Sequence, residues 1–367
     1  MKKLTNYIKI ISGGTPKTSV AKYWNGNIPW LTVKDFGVVN RFVFSTEKNI
    51  TKLGLQNSSS NILQKNDIII SARGTVGKIA LIGTSMAFNQ SCYGLRVISS
   101  QLNQFYLYYW LKQNVEQLKT QSNGGVFDTI IRNSFENIII NIPDLNTQQH
   151  IVDTIGSIDD LIESNNHIFN KFNNFLQILL HKFILKSQVV IKLDKLIYKT
   201  GKLCKNQEWR QSKLIDLSSM PSDNVVINTF SDGALFNTNI KTLVENTLLY
   251  GSIRPYFHKC GFTTEINYVA GTVHSFKTYD SKYYYWILGV ISSLNFHNHC
   301  NTKSQGTKMP IINWSSFVDY DVIIPNEINL TKFNNIIEPL FCDIKSKMIQ
   351  NRKLIILKEI LLKKFFG

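Results

Sequence analysis

The pattern of hydrophobic and polar positions divides this chain into two kinds of segment. Up to about residue 147, short apolar and β-branched runs alternate with Gly, Ser, Thr and Asn, which is typical of strands joined by turns. Apolar residues at helical spacing predict a helix over Leu102–Lys119. This segment is therefore expected to be an α+β domain. Its predicted strands are Ile28–Val33, Asp67–Ala72, Ile79–Ile82, Tyr93–Ile98 and Ile138–Ile142.

A different pattern begins near Asn146, where seam residues recur at alternating spacings of four and three for more than four heptads. Such a seam packs one helix along another. Thr147 is the predicted N-cap. Asn165 lies on the seam, where a buried Asn fixes the register of a helix pair at a cost in stability. The seam is Ile151, Ile155, Ile158, Ile162, Asn165, Phe169, Phe172, Leu176, Leu179 and Phe183.

The second half of the chain repeats this order. Strands are predicted at Val225–Ile227, Thr247–Tyr250 and Asp321–Ile324, and a helix at Lys282–Ser293. A second long helix is expected from Leu330 to Phe366; each long helix spans ~57 Å at 1.5 Å per residue. The expected boundaries are 1–147 and 187–328 for the two domains, and 148–186 and 329–367 for the helices. The main apolar stripe of the second helix is Phe333, Ile337, Leu340, Ile344, Met348, Ile355 and Leu362.

The two halves also correspond residue by residue at one constant separation along the chain. Such an internal repeat predicts two similar domains related by an approximate two-fold axis, with the long helices as an antiparallel pair. An arrangement of this kind fits a symmetric polyanion such as duplex DNA. The matched pairs are Gly124 and Gly306, Ile130 and Ile312, Ser134 and Ser316, Phe135 and Phe317, Ile142 and Ile324, and Pro143 and Pro325.

Composition and charge favour an acidic partner. The chain has 367 residues, with 41 Lys+Arg against 25 Asp+Glu and a net charge of +16; charge alone also fits a merely basic protein. Its five scattered cysteines form no C-x-x-C pair, which favours a reducing compartment. The N-terminus is a poor signal peptide, and the longest apolar run, of about ten residues, is too short to span a ~30 Å bilayer. A cytoplasmic protein without a membrane segment is expected.

Several motifs resemble the DNA specificity (S) subunits of type I restriction-modification enzymes. GGTPKTSVAKYWNGNIPWLTVKD (Gly13–Asp35) resembles the start of a target-recognition domain. The second half lacks this Gly-Gly-Thr-Pro opening and the Gln148-Gln149 pair, which leaves the start of the second domain open. The other similar segments are Asn66–Leu81, Ala87–Val97, Ile142–Glu163, Glu245–Phe262 and Val322–Leu340.

The resemblance implies an α+β fold of two α/β target-recognition domains in a pseudo-two-fold arrangement, separated by two long antiparallel helices that form a coiled coil. It implies a non-catalytic chain that reads an asymmetric bipartite target in double-stranded DNA. It also implies partners: methyltransferase (M) subunits, two of which are expected, and restriction (R) subunits. S-adenosylmethionine, ATP and Mg are expected on those partners, with no cofactor in this chain. The expected spacer and docking residues are Ile151, Ile155, Ile158, Ile162, Phe172, Leu179, Phe333, Ile337, Leu340, Ile344, Ile355 and Leu362.

Motifs for catalysis are weak. Gly74–Lys78 looks like part of a P-loop, but Ala72 stands where its first Gly should be, and Ile79 replaces the Ser or Thr after the Lys. The chain has no Pro-Pro pair of the amino-methyltransferase kind. His297–Cys300 has metal-ligand residue types without a distant partner pair. No catalytic or metal site is expected. A self-contained enzyme and a stand-alone DNA-binding regulator or decoy remain alternatives.

Basic and amide side chains near glycines are the candidate DNA contacts. Arg73-Gly74 follows a predicted buried strand, so its guanidinium can reach a phosphate or a guanine edge. Arg254 has the analogous place in the second half, and the Ser122–Gly125 loop has Lys303–Lys308 as its counterpart. The predicted DNA-binding residues are Lys34, Arg73, Lys78, Asn89, Gln90, Arg96, Arg254, Tyr256, Lys259, Lys303, Gln305 and Lys308.

Overall fold

The computed structural model describes residues 2–37, 40–119, 129–185, 189–237 and 239–367. The predicted loop Ser122–Gly125 lies outside these residues. The chain forms two compact units: Met1–Glu163 with Leu354–Gly367, called unit 1, and Ser164–Lys353, called unit 2. Both boundaries fall inside long helices, so each unit contains an α+β domain together with a stretch of both helices.

Unit 1 contains mixed sheets covered by helices, within the described residues. Its helices are α1 (Lys52–Gln56), α2 (Gln104–Lys119) and the first part of α3 (Leu145–Ile184). Its strands are β1 (Lys2–Lys3), β2 (Ile8–Ser12), β3 (Trp24–Leu31), β4 (Phe42–Val43), β5 (Lys48–Ile50), β6 (Ile62–Leu63), β7 (Ile68–Ser71), β8 (Ile79–Ile82), β9 (Met86–Phe88), β10 (Cys92–Val97) and β11 (Ile139–Ile140).

Two sheets organise unit 1, with strand orders β2-β10-β7-β8-β4 and β5-β3-β9-β6. β7 is buried along its whole length, and its first three residues are isoleucines because both of its faces are covered. Since successive side chains of a strand point to opposite faces, Ile68 and Ile70 join the core that contains α2. Ile69 instead joins a second core with Leu31 and Phe88. The predicted strands of this domain are confirmed, with ends shifted by a few residues.

Unit 2 repeats this plan with shorter strands. Its central sheet has the order β13-β20-β17-β18 within the described residues. Its helices are α4 (Tyr284–Ile291), α5 (Leu294–Lys303), α6 (Trp314–Val318) and the first part of α7 (Glu327–Phe366). The strands are β12 (Val189–Lys192), β13 (Ile197–Lys199), β14 (Lys213–Leu214), β15 (Ser231–Asp232), β16 (Ile240–Thr242), β17 (Leu248–Gly251), β18 (Cys260–Gly261), β19 (Tyr268–Ala270), β20 (Val273–Thr278) and β21 (Asp321–Ile324).

The internal repeat is visible in the pairing of the first and last strands of each half. In the first half β1 pairs antiparallel with β11, and in the second half β12 pairs antiparallel with β21. In both halves, therefore, an early strand pairs with the strand that leads into a long helix. The predicted strand at Val225–Ile227 is wrong: only Val226 forms a bridge, with Phe262. The segment is buried and apolar, but it lacks a partner strand long enough to form a ladder.

The long helix α3 begins earlier than its predicted cap. Asp144, which follows Pro143, accepts a hydrogen bond from the Thr147 backbone N–H (3.0 Å) and another from the Thr147 hydroxyl (2.7 Å). These hydrogen bonds from Thr147 lower the pKa of the Asp144 carboxyl. The prediction of Thr147 as N-cap is therefore wrong, since Asp144 is the capping side chain and Thr147 lies in the first turn.

The two long helices run antiparallel within each unit. In unit 2 the Phe183 and Phe333 rings lie 5.9 Å apart, and those of Phe172 and Phe341 lie 6.5 Å apart. Asn165 donates a hydrogen bond to Asn351 (2.8 Å). In unit 1, Asp159 on α3 accepts a hydrogen bond from Lys358 on α7 (2.6 Å). Positions rise along α3 as they fall along α7, as predicted for an antiparallel coiled coil.

Asn165 lies on the buried seam, as the heptad pattern predicts. It is almost fully buried, and its amide also donates to the Gln350 side chain (2.9 Å). A paired amide inside an apolar seam favours one alignment, because any shift of the helices leaves a buried polar group without its partner.

The predicted stripe of α7 needs two corrections. Leu340 and Ile355 are exposed, at 41% and 39% of their full area, whereas Phe341 and Asn351 are buried. The seam passes through Phe341 instead of its neighbour Leu340. It also includes a polar position, Asn351, which a search for apolar residues passes over. In the described part of the chain, no helix is long and apolar enough to cross a membrane.

Candidate nucleic-acid interface

An open groove of about 620 Å³ lies in unit 1, where several strands end. β3 and β9 are parallel neighbours, so the residues after them, including Lys34 and Asn89, come out at the same edge. Arg73 and Lys78 line the groove from the turn between β7 and β8. The structure therefore brings four predicted contacts into one groove, although they are spread between Lys34 and Asn89 in the sequence.

The β7–β8 turn holds Arg73 and Lys78 on opposite arms. The Lys78 backbone N–H donates to the Ser71 hydroxyl (2.8 Å), and Ser71 in turn donates to the Thr75 carbonyl. Gly74, at φ +76°, adopts a left-handed conformation that a side chain would strain. Arg73 and Lys78 are exposed, and no carboxylate of the described chain lies within 4.0 Å of either charge. Both cations are therefore available to a polyanion.

The segment after β3 is fixed by Asp35. This carboxylate accepts hydrogen bonds from the Thr32 backbone N–H (2.7 Å) and from the Glu47 backbone N–H (2.8 Å). Lys34 lies between Thr32 and Asp35 on the resulting turn. Trp30 is buried and donates its indole N–H to the Gly14 carbonyl (3.0 Å), so it anchors the loop.

Two predicted contacts of unit 1 lie outside the groove lining. The Gln90 side-chain oxygen accepts a hydrogen bond from the Thr15 hydroxyl. Arg96 forms a two-pronged ion pair with the buried Asp67, at 2.9 and 2.6 Å. This pair ties β10 to the residue before β7. Arg96 thus has a structural partner, and its contact with DNA stays a prediction.

Arg254 follows β17 as Arg73 follows β7. Its backbone, at φ +52°, and that of His258, at φ +51°, flank a single helical turn. Tyr256 on this turn is half exposed. The Lys259 ammonium donates to the Leu217 carbonyl (2.5 Å), which ties it to the fold. A left-handed backbone at two bulky residues is costly and is typical of functional loops.

The loop with the remaining predicted contacts lies beside Arg254. The Arg254 backbone N–H donates to the Pro310 carbonyl (2.7 Å), and Gln305 and Ile311 exchange two backbone hydrogen bonds of 2.9 Å. The loop closed by that pair contains the exposed Lys308. Lys303 lies 3.8 Å from Asp319 and is partly neutralised. The structure therefore joins Arg254, Gln305 and Lys308 in one region of unit 2.

Sequence reasoning missed several groove residues, among them Thr32, Glu47 and Lys48. Glu47 and Lys48 lie before and at the start of β5, which pairs with β3. Nothing in the local sequence marks them, since a Glu-Lys pair before a strand is an ordinary surface feature. Only the pairing of β5 with β3 places them opposite the β7–β8 turn.

The histidines of the His297–Cys300 segment have structural hydrogen bonds. His297 is buried, and its ring nitrogen is 3.0 Å from the Tyr250 hydroxyl. The His299 ring nitrogen lies 2.9 Å from the Ser316 carbonyl. Among the residues that the structure describes, no group of three or more His, Cys, Asp or Glu side chains could hold a metal ion.

Two buried histidines predict acid sensitivity of unit 2. Burial lowers the pKa of both His274 and His297 to about 4, and the charge of nearby His258 adds to the effect at His297. The folded state keeps both rings neutral, whereas the unfolded state binds protons below about pH 6.5. The free energy of unfolding is therefore highest above that pH. It decreases as the pH falls toward 4, by up to about 3 kcal/mol for each ring.

Urea denaturation at pH 7.5, 6.5 and 5.5 measures this loss. A variant with His274→Gln and His297→Asn keeps similar polar groups without the titration, and is expected to show a flatter dependence on pH. An equally steep loss in that variant would assign the acid sensitivity to other groups.

Known proteins similar to this chain are DNA specificity subunits. The type I restriction modification DNA specificity domain matches residues 1–174. The chain is 24% identical to the type I restriction enzyme MjaIX specificity subunit of Methanocaldococcus jannaschii, over 98% of this chain and 90% of that protein. It is 25% identical to the MjaVIII specificity subunit of the same organism, over 56% of this chain and 51% of that protein.

The fold has a solved counterpart. The type I restriction-modification S subunit from M. genitalium superposes with a TM-score of 0.60 at 16% identity, covering 100% of this chain and 95% of that one. This superposition shows that the chain shares the fold of that S subunit. Residues 1–174 thus match the type I restriction modification DNA specificity domain, and almost the whole chain is similar to a type I specificity subunit. Specificity subunits of type I restriction-modification systems recognise DNA and are not themselves catalytic.

Proposed function

We propose that this chain reads an asymmetric bipartite DNA target, with one half-site for each α+β domain. The observation that carries the proposal is the groove of unit 1, where Lys34, Arg73 and Lys78 line one open surface with an amide, Asn89. Cations hold phosphates, while amide and guanidinium groups read base edges. The second domain presents Arg254 after the equivalent strand, with different neighbours. Different side chains at equivalent places support two different half-sites.

We also propose that the long helices set the distance between the half-sites. Dimeric major-groove readers bind half-sites about one helical turn apart, ~10 bp from centre to centre, and a similar spacing is expected here. The paired Asn165 and Asn351 fix the alignment of the helices in unit 2. A variant that shifts this alignment is expected to change the tolerated spacing without changing either half-site.

We further propose that the chain recruits two M subunits, which would carry S-adenosylmethionine, and R subunits, which would carry ATP and Mg. Most residues expected to form the docking face, among them Ile155 and Phe333, are buried in the helix seam. Of the expected set, Leu340 and Ile355 are exposed. Accessible apolar side chains of the long helices are therefore the proposed docking residues, among them Ile336 and Leu340 in unit 2, and Ile355, Ile356 and Ile360 in unit 1.

Purification of the tagged chain from its host, followed by native mass measurement, tests this function. Co-elution of two copies of a DNA methyltransferase, with methylation of a two-part target, supports it. Recovery of the chain alone, or as a homodimer that binds DNA unaided, would instead support a regulator or decoy.

Single replacements at the two equivalent arginines are expected to weaken DNA binding. Arg73→Ala and Arg254→Ala should each reduce the slope of log K against log salt by about 1, because each loses one phosphate contact. Binding measured from 0.05 to 0.3 M salt gives that slope. Lys65→Ala, an exposed charge outside the groove lining, is the control. A slope that does not change would remove that arginine from the phosphate contacts.

A further inference from the structure

A carboxylate lies in the cationic groove of unit 1. Glu47 lines it together with Lys34, Lys48, Arg73 and Lys78. Its side chain is exposed, and within the described chain it has neither an ion pair within 4.0 Å nor a side-chain hydrogen bond. The second acidic residue nearby, Asp35, differs: both of its oxygens accept hydrogen bonds from the fold. Glu47 therefore has acceptor capacity left for a ligand.

The backbone of Glu47 is held at the groove edge. Its N–H donates to Asp35 (2.8 Å). On one side, the Thr46 hydroxyl accepts from the Trp30 backbone N–H (3.2 Å) and donates to the Lys48 carbonyl (2.7 Å). These bonds join the segment before β5 to the buried end of β3. A side chain on such a segment starts from a defined position and loses less entropy when it binds.

DNA offers few groups that a carboxylate can contact. Phosphates repel it, and carbonyl and ring-nitrogen acceptors cannot donate to it. The exocyclic amino groups of bases can donate, and in the major groove a Glu characteristically accepts from the N4 amino group of cytosine. Lysines and an arginine around Glu47 would hold phosphates on either side, so that the carboxylate faces base edges. A groove that bound only the backbone would gain nothing from a negative charge.

We propose that Glu47 determines specificity by accepting a hydrogen bond from the N4 amino group of a cytosine in the half-site that unit 1 reads. The proposal rests on the proposed DNA-reading function and adds a base and a residue to it. It assigns Glu47 a role distinct from that of the surrounding cations, because loss of a cation weakens binding to all sequences. Loss of Glu47 removes discrimination at one position.

Methylation mapping of the assembled enzyme tests this assignment. DNA methylated in cells by the wild-type complex, by Glu47→Ala and by Glu47→Gln is sequenced for modified sites. In Glu47→Ala, we expect the preference for cytosine at one position of one half-site to fall by about 10- to 100-fold. The other half-site should be unchanged. Glu136→Gln, an exposed carboxylate of unit 1 outside the groove lining, should keep the wild-type target.

Binding to modified DNA gives a second measurement. Replacing that cytosine by 2-pyrimidinone removes the 4-amino group alone. The wild-type complex should lose about tenfold in affinity, and Glu47→Ala should bind both DNAs equally. An unchanged target in Glu47→Ala, with uniformly tighter binding to all DNA, would overturn the proposal and leave Glu47 as a repulsive surface charge. Failure of the wild-type complex to methylate any defined target would instead overturn the proposed function.

Discussion

Replacing Lys34, Lys48, Arg73 and Lys78 together by Ala is expected to abolish specific DNA binding at physiological salt. The four cations line one open groove. If each contributes about 1 kcal/mol, their loss weakens binding by roughly 1,000-fold. The salt slope should fall by about 3 to 4, since each phosphate contact contributes about 0.9.

Filter binding or fluorescence anisotropy with the assembled complex measures this effect. The matched control removes the same charge from exposed lysines outside the groove lining, at Lys3, Lys9, Lys52 and Lys65. The control should retain most of its affinity. An equal loss in the two variants would show that net charge, and not the groove, attracts the DNA. Retained folding of both variants is checked by thermal denaturation.

Replacing Asp159 by Ala is expected to destabilise unit 1 by about 3 to 5 kcal/mol. Asp159 is almost fully buried. It accepts hydrogen bonds from Lys358 (2.6 Å) and from the Tyr109 hydroxyl (2.9 Å), and its carboxylate lies 3.9 Å from Arg41. Removing one partner of a buried ion pair leaves charge without compensation, which costs far more than a surface pair. These contacts join α2 and α3 to the end of α7.

The control for this prediction is Asp160→Ala. Asp160 also contacts Arg41, but its side chain is 72% exposed, so its loss should cost at most about 1 kcal/mol. Urea denaturation followed by circular dichroism compares the two variants. Equal and small losses in both would show that water reaches the Asp159 cluster and screens it.

The sequence by itself determined most of the regular structure. Runs of β-branched residues such as Ile68–Ile70 form strands because branched side chains pack well on a pleated, buried sheet. The spacing of four and three residues through α3 gives one buried face, and Asn165 lies on it. The repeat between the halves can also be seen in the sequence, since each half carries its own set of strands.

Other features depend on which residues meet across the chain. A helix cap depends on the position of one side-chain oxygen. The structure shows that this oxygen belongs to Asp144 and not to Thr147. The α7 seam follows the packing of rings such as Phe341, which hydrophobicity alone does not separate from its neighbour Leu340. Likewise, the sequence alone predicts Arg96 as a DNA contact. Only the structure shows its ion pair with Asp67.

The groove of unit 1 shows most clearly which features the sequence predicts and which only the tertiary structure reveals. The sequence identified Arg73 and Lys78 because a glycine turn after a buried strand is a local pattern. Only the tertiary structure added Glu47 and Lys48, because β5 pairs with β3 and so brings distant residues to the edge where β7 ends. Charge and periodicity are properties of a segment and can be read from it. The composition of a binding surface is set by strand pairing between segments, which no single segment contains.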